Sequence, residues 1–415
     1  MKSFNGLFDR MTEPEEIEAA IVEAAEGKRK RKLVQKTLEG KEEAAREIRE
    51  RLLSLEWYPP KHSKRSLREG SHKKERQIEK PIWYDEQIVH HIVMRQFRPI
   101  VTPRMYEYSF GSIPGRGTFA AVKILERWRN GYRGKKFYVA ELDIKKFYQN
   151  VDTEILKEQL RKLIRDKRYL EILFRIIDGA APGLPLGFYT SPWFGNWYLT
   201  PLDRYIVHTL RPEHYLRYMD NLYIFHRNKK ELHKIVAAVE QYLASVLRLR
   251  LNKSKQVYRF EYQDRRTGKI RGRAINALGF IVHRDRVTMR KTILKRARAK
   301  ANRMHRKGKL KRIDAAAMIS YMGYFSHTDT YGYYRRWIKP KVNIQYCKRY
   351  ISRIARRSKK HDRMERGKGL PRGDSADHRH GDELDNGLRA PEYPQSHGDA
   401  DRDGRGAGER KLLGV

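Results

Sequence analysis

The chain has 415 residues, with 91 Lys and Arg against 50 Asp and Glu, a formal charge of +41. An excess this large repels itself unless an anionic partner is present, so nucleic acid is the expected partner, and the 39% hydrophobic content is still enough for a core. The single cysteine, Cys347, rules out an internal disulfide and a zinc site built from cysteines, as in a reducing cytoplasm; no run of about 18 apolar residues, basic amphipathic helix, lipidation motif or signal peptide marks a membrane or secreted protein.

Residues 1–56 read as helices rich in Glu, Lys and Ala, broken by Pro59 and Pro60. His62 to Lys80 is basic and polar and suits extended strands or a loop. Pro81 opens an apolar period through Ile82, Ile88, Ile92 and Phe97 that predicts a helix. Gly111 to Gly117 is a loop, and Phe119 to Trp128 is helical again. Phe137 to Leu142 is a short apolar run of β-formers, read as a buried strand ending near Asp143. Residues 153–178 and 190–210 are predicted helices on either side of a turn-rich loop, Pro182 to Gly187. Tyr215 to Phe225 reads as strand, tight turn, strand. Lys230 to Leu249 is a helix with its apolar face at Leu232, Ile235, Val236, Val239 and Leu243. Residues 275–290 read as a hairpin and 291–356 as basic helices.

From Ser358 the composition changes. Residues 358–415 hold twelve Lys and Arg and twelve Asp and Glu, with few large apolar residues, so this tail is expected to be disordered. The excess charge therefore lies on residues 1–357.

Two aspartates stand at predicted strand ends. Asp143 follows the apolar strand, and Asp220 lies in Arg217-Tyr218-Met219-Asp220-Asn221-Leu222, with Asp220 and Asn221 read as the tight turn. Taken alone, Asp-Asn is an ordinary hairpin turn. Carboxylates meeting at adjacent strand ends could instead hold two Mg²⁺ ions about 3.5–4 Å apart, with the backbone carbonyl of Ile144 as a further oxygen.

Asp143-Ile144-Lys145-Lys146-Phe147-Tyr148, the segment Gly183 to Asp203, and Tyr218-Met219-Asp220-Asn221 resemble, in this order, three catalytic motifs of bacterial reverse transcriptases. Lys74 to Pro81 and Tyr108 to Thr118 match earlier motifs. The resemblance covers roughly residues 1–350 and is closest to the enzymes of diversity-generating retroelements, relatives of group II intron enzymes. It implies an α+β right-hand polymerase of fingers, palm and thumb, with a ferredoxin-like antiparallel palm sheet. The implied division is an N-terminal helical segment (1–60), fingers and palm (61–285), a helical thumb (286–357) and a polar tail (358–415).

The resemblance also implies roles. Asp143, Asp220 and Asn221 would form the catalytic centre, with Asp143, Ile144 and Asp220 holding two Mg²⁺ ions or, alternatively, Mn²⁺. Lys74, Arg76 and Arg116 would meet the triphosphate of an incoming dNTP. Tyr148 would pack under its sugar and exclude a 2′-hydroxyl, and Leu186 and Gly187 would adjoin the nucleotide. Lys255 matches a lysine proposed as general acid for pyrophosphate. Leu278, Gly279 and Phe280 resemble a primer grip. Partners would be template RNA, a primer and a small basic accessory protein.

Two positions depart from the pattern. Asn221 replaces the family's second aspartate, keeping an oxygen but losing a charge. Leu186 stands where retroviral and intron enzymes carry glutamine; the diversifying enzymes have an aliphatic residue there, which implies low fidelity opposite adenine. Ser191-Pro192, however, resembles the intron enzymes. An active reverse transcriptase, an RNA-dependent RNA polymerase of the same fold, and a catalytically silent RNA-binding protein remain as readings, with diversification, stand-alone defence and degenerate intron mobility as roles.

Overall fold

A computed structural model describes residues 3–69, 74–132, 134–179, 182–308 and 310–367, with side chains for all of these except 63–65, 67–69, 74–77 and 357–367. The chain divides into two units, Met1–Arg290 and Lys291–Val415.

The first unit opens with helices α1 (Leu7–Met11), α2 (Pro14–Ala24), α3 (Lys32–Glu39) and α4 (Lys41–Leu53), then a hairpin of β1 (Ser63–Glu69) and β2 (Lys74–Lys80). Helix α5 (Ile88–Val101) comes after a single irregular turn. The apolar face of α2 (Ile17, Ala20, Ile21) packs on α5. These side chains join the same core as the central sheet, so the N-terminal helices and the sheet share one hydrophobic interior.

Next come β3 (Ser109–Phe110), α6 (Thr118–Gly131), β4 (Tyr138–Asp143), α7 (Phe147–Asn150), α8 (Thr153–Leu163), α9 (Lys167–Asp178), α10 (Ser191–Tyr198) and α11 (Thr200–Arg204). The helix expected over 153–178 is two helices, because Asp166 caps a second start: its carboxylate accepts from the Tyr169 N–H at 3.1 Å and the Phe8 N–H at 2.8 Å. Strands β5 (His214–Tyr218) and β6 (Asn221–His226) lead into α12 (Lys229–Val246), capped by Asn228 and buried along Leu232, Ile235, Val236, Val239 and Leu243. This is the face the period specified.

Strand β7 (Gln256–Arg259) completes a five-stranded sheet of order β3-β5-β6-β4-β7. It is not wholly antiparallel, as the resemblance implied. The edge strand β3 runs parallel to β5, and the carbonyls of Tyr108, just before it, and of Phe110 accept from the N–H groups of Arg217 and Met219 at 3.1 and 3.0 Å. A short hairpin of β8 (Tyr262–Gln263) and β9 (Ile270–Arg271) precedes a meander of β10 (Ile275–Ala277), β11 (Phe280–Val282) and β12 (Val287–Met289), one strand more than the expected hairpin.

The second unit is helical: α13 (Lys291–Lys307), α14 (Arg312–Ser326), α15 (Tyr331–Trp337) and α16 (Ile344–Gly367). Lys300 pairs with Asp314 at 2.7 Å, and the Arg298 guanidinium lies 3.5 Å from the Trp337 ring centre. Phe325 and Tyr334 are buried, so these aromatics serve the core rather than an open stacking surface. Helix α16 runs past residue 358, where disorder was expected, because no glycine interrupts it before Gly367. The rest of the tail lies outside the described residues. Among the described residues no helix is long and apolar enough to cross a membrane.

Candidate functional site

Strand register brings the two aspartates together. Asp143 is the last residue of β4 and pairs directly with Asn221, the first of β6; the Ile144 N–H donates to the Asp220 carbonyl at 3.1 Å. Both carboxylates are partly exposed at the same end of the sheet. Tyr223, two residues along β6, registers them: its phenol is pushed up by burial first, then by the carboxylates of Glu141, Asp143 and Asp220, against the opposing charge of Arg290.

The hairpin turn differs from the expected one. Tyr218 pairs with Asn221, so the two loop residues are Met219 and Asp220, and Asn221 already belongs to the strand. The positive φ falls on Met219, at 52°, the first loop position of a II′-like turn. A methionine there is strained, and the surroundings over-determine it. Its N–H donates to Phe110 and its carbonyl accepts from Arg217 Nη1, both at 3.0 Å. Its side chain lies so close to Gly111 that a Cβ on that glycine would be 2.7 Å from Met219 Cγ.

Arg217 is fully buried. It forms a two-pronged pair with Asp203 of α11 at 2.8 and 2.6 Å and donates to Asn196 Oδ1 of α10 at 3.0 Å. Asp203 also accepts from the Tyr215 hydroxyl at 2.7 Å, and Asn196 donates to the Gly111 carbonyl at 3.0 Å. Burial opposes the arginine's charge, but Asp203 outweighs it and raises its pKa. This network fastens the Asp220 turn to two helices and the edge strand. It went unread in the sequence, although alternation puts Tyr215, Arg217 and Met219 on one strand face, where a lone arginine needs a buried partner.

Asn252 was also missed. Residues 250–252 run alongside 143–145: the Lys145 N–H donates to Arg250 at 2.9 Å, the Asn252 N–H donates to the Asp143 carbonyl at 2.7 Å, and Asn252 Nδ2 donates to Asp143 Oδ2 at 3.1 Å. Asn221 Nδ2 donates to Asp220 Oδ1 at 3.1 Å. Each aspartate thus has one oxygen oriented by a neighbouring amide. Hard, partly exposed carboxylate oxygens of this kind suit Mg²⁺, which keeps water and substrate phosphates as its other ligands. Among the described residues no cluster of three or more His, Cys, Asp or Glu could hold a metal ion, so a metal here would rest on these two side chains and the Ile144 carbonyl.

The other expected site residues are placed unevenly. The Lys255 ammonium pairs with Glu240 of α12, not with either aspartate. Arg116 donates to the Tyr106 carbonyl at 2.9 Å, which holds its own loop closed. Tyr148 accepts from the Leu184 N–H at 2.7 Å and its ring borders Gly195. The Leu186 carbonyl accepts from the Glu79 N–H of β2 at 3.0 Å. Gly187 has φ 114°, and a Cβ there would lie 2.3 Å from the Glu79 carbonyl, so its close neighbour is strand β2. The side chains of Lys74 and Arg76 lie outside those described. Leu278 and Gly279, at φ 55° and 93°, form the turn between β10 and β11, and Phe280 is buried with its ring 5.7 Å from Phe119.

Fold and site together define a polymerase-like α+β domain with paired carboxylates at a hairpin turn. Residues 64–282 match the family described as reverse transcriptase (RNA-dependent DNA polymerase), over half of the chain, and the chain belongs to that family. Solved structures similar to it include apo telomerase from Candida tropicalis truncated from the C-terminal domain, at 12% identity over 55% of each chain and a TM-score of 0.41. Telomerase from Candida albicans with a TWJ fragment of telomeric RNA matches at 11% identity over 68% of this chain and 57% of that one, TM-score 0.39. The chain thus spans little more than half the length of these structures. No curated protein matches it.

Proposed function

We propose that this chain is an RNA-directed DNA polymerase that extends a primer along template RNA with dNTPs by nucleotidyl transfer. The observation that supports it most is the register that sets Asp143 beside Asn221, with Asp220 one residue away in a fastened turn. Two bound Mg²⁺ ions would lower the pKa of the primer 3′-hydroxyl and neutralise the leaving pyrophosphate. The protein's part is positional. Asn252 and Asn221 orient the carboxylates, and the Arg217 network fixes the turn. In this reading β1–β2 belong to the fingers, the five-stranded sheet is the palm, and the basic second unit is a thumb that tracks duplex.

Primer extension by the purified chain, with dNTPs or NTPs and with Mg²⁺ or Mn²⁺, is the test. Extension with dNTPs that Asp143→Asn and Asp220→Asn each reduce by about 10²–10³-fold or more, without loss of folding, is the expected result. Extension that survives both substitutions would end the proposal. Asn221 favours one alternative, a silent RNA-binding protein; activity confined to Asn221→Asp would support it. Leu186 supports a finer reading, an error-prone enzyme of a diversity-generating retroelement working with a small basic accessory protein. Its cDNA should carry errors concentrated opposite template adenine, and errors spread evenly over all four bases would point to another role, such as defence.

A further inference from the structure

The end of the sheet opposite the two aspartates carries a second feature. Strand β4 starts beside Phe137 and ends at Asp143, so Phe137 and Asp143 are about 20 Å apart at about 3.3 Å per residue. At the Phe137 end an open cleft of about 680 Å³ lies between the 134–137 segment, the end of β7 and the β8–β9 hairpin. Neither aspartate lines it.

Its charge is one-sided. Lys135, Lys136, Arg265, Arg266 and Arg284 line it and are exposed, and Arg259 lines its floor. Among the described residues no carboxylate pairs with any of the six. The two acids in the cleft are already engaged. Glu261 lies 3.1 Å from His283 Nδ1 and accepts from the Arg284 N–H at 3.1 Å. Asp264 pairs with Arg271 at 3.1 Å and accepts from the turn N–H groups of Arg266 and Thr267. The cations outnumber these two carboxylates, so the cleft keeps a net positive charge and its cations repel one another, which an anion arriving from outside would relieve.

The floor is aromatic. Phe137 stacks on Tyr132 at 4.3 Å and on Phe260 at 4.6 Å. Tyr262 lies on the hairpin with the Arg259 guanidinium 3.3 Å from its ring centre, and Arg259 Nε is buried without a hydrogen-bond partner. Free cations along a groove, next to an arginine laid flat on an aromatic ring, are what a phosphate backbone with unstacked bases uses. A duplex would offer phosphates but no base faces to Tyr262.

We infer that this cleft binds single-stranded RNA at a site separate from the catalytic end of the sheet. The choice of RNA among polyanions rests on the polymerase reading; the existence of an anion site does not. The cleft would hold a part of the template RNA that is not being copied and so keep the RNA on the protein between extension steps.

The test measures binding of a fluorescent oligouridylate to the full chain across a salt series, beside primer extension on a template whose overhang is too short to reach the cleft. Lys135→Gln/Arg265→Gln/Arg266→Gln should bind about 100-fold more weakly at about 0.1 M salt. The slope of log affinity against log salt should fall by about 2, at about 0.7 per phosphate on a single strand. Tyr262→Ala should weaken binding about fivefold or more at unchanged slope. Extension on the short template should stay at the wild-type rate in both. Unchanged affinity and slope in both variants would overturn the inference. So would heparin binding with the same dependence on Tyr262, which would mark a site for any polyanion, an acidic protein included. If the wild-type chain extends no primer while these binding effects persist, the polymerase reading fails and the cleft stands.

Discussion

Replacing Arg217 by methionine should cost about 3–5 kcal/mol, because it leaves Asp203 as an uncompensated charge in a site closed to water. Both prongs of the ion pair go, at 2.8 and 2.6 Å, together with the bond that holds the Met219 carbonyl. At about 2–4 °C per kcal/mol for a unit of this size, the thermal midpoint should fall by about 10 °C. The double variant Arg217→Met/Asp203→Leu removes the stranded charge, leaving the Tyr215 hydroxyl without its acceptor and Asn196 Oδ1 without its donor, at about 1 kcal/mol or slightly more each. Part of the lost stability should therefore return. Primer extension should not return with it, since the carbonyl of the strained Met219 remains unheld and the Asp220 carboxylate loses its fixed direction. Thermal unfolding by circular dichroism and a single-nucleotide extension assay read the two effects separately. A single variant within about 1 kcal/mol of the wild type would refute the buried-charge argument. A double variant that regains both stability and activity would refute the positioning argument.

Gly187→Ala should destabilise by about 1–3 kcal/mol, since a Cβ would meet the Glu79 carbonyl at 2.3 Å on a backbone with φ 114°; an unchanged denaturation midpoint would refute this. Asn252→Ala should lower extension about 10–100-fold, as loss of a group orienting a ligand does, whereas Lys255→Gln, which removes only an ion pair with Glu240, should change it by less than about threefold; steady-state rates that rank the two the other way would restore Lys255 as the reacting group. Burial lowers His90 to about 3 and His91 to about 4. Stability should therefore be complete above the ordinary histidine pKa near 6.5 and should fall as pH drops below it, because only the unfolded chain takes up those protons, at up to about 1.4 kcal/mol per pH unit for each histidine. The buried Glu86, with a raised pKa, works in the opposite direction on the acid side. Urea unfolding between about pH 6.5 and 5.5 should show the decline, and His90→Phe should remove about half of it.

Much of the architecture was legible from periodicity. The buried face of α12, the strand ending at Asp143 and the split of Tyr215 to Phe225 into two strands all follow from apolar spacing, which reflects burial directly. The break inside 153–178 and the third strand of the meander were less legible, because a capping aspartate or a three-residue strand leaves little periodic trace. The segment 256–271, which builds the basic cleft, carries a strand and turn signal of its own, since Tyr258, Phe260 and Tyr262 alternate with Arg259, Glu261 and Gln263 ahead of the polar run Asp264 to Gly268, but that signal says nothing of the cleft.

The sequence by itself determined which residues were candidates for chemistry here: its motifs, in their order, singled out Asp143 and Asp220, and its charge made a polyanion the expected partner. Only the tertiary structure decided how they are arranged. Register places Asp143 against Asn221 and moves the turn to Met219 and Asp220; folding brings Asn252 to Asp143 and gives Lys255 to Glu240. It also joins Arg217 to Asp203, fourteen residues apart, on a strand and a helix. The physical reason is that spacing along a chain reports which side chains leave water. Which of them then meet is settled by strand pairing and by the need of every buried charge and amide for a partner, and such partners are remote in sequence.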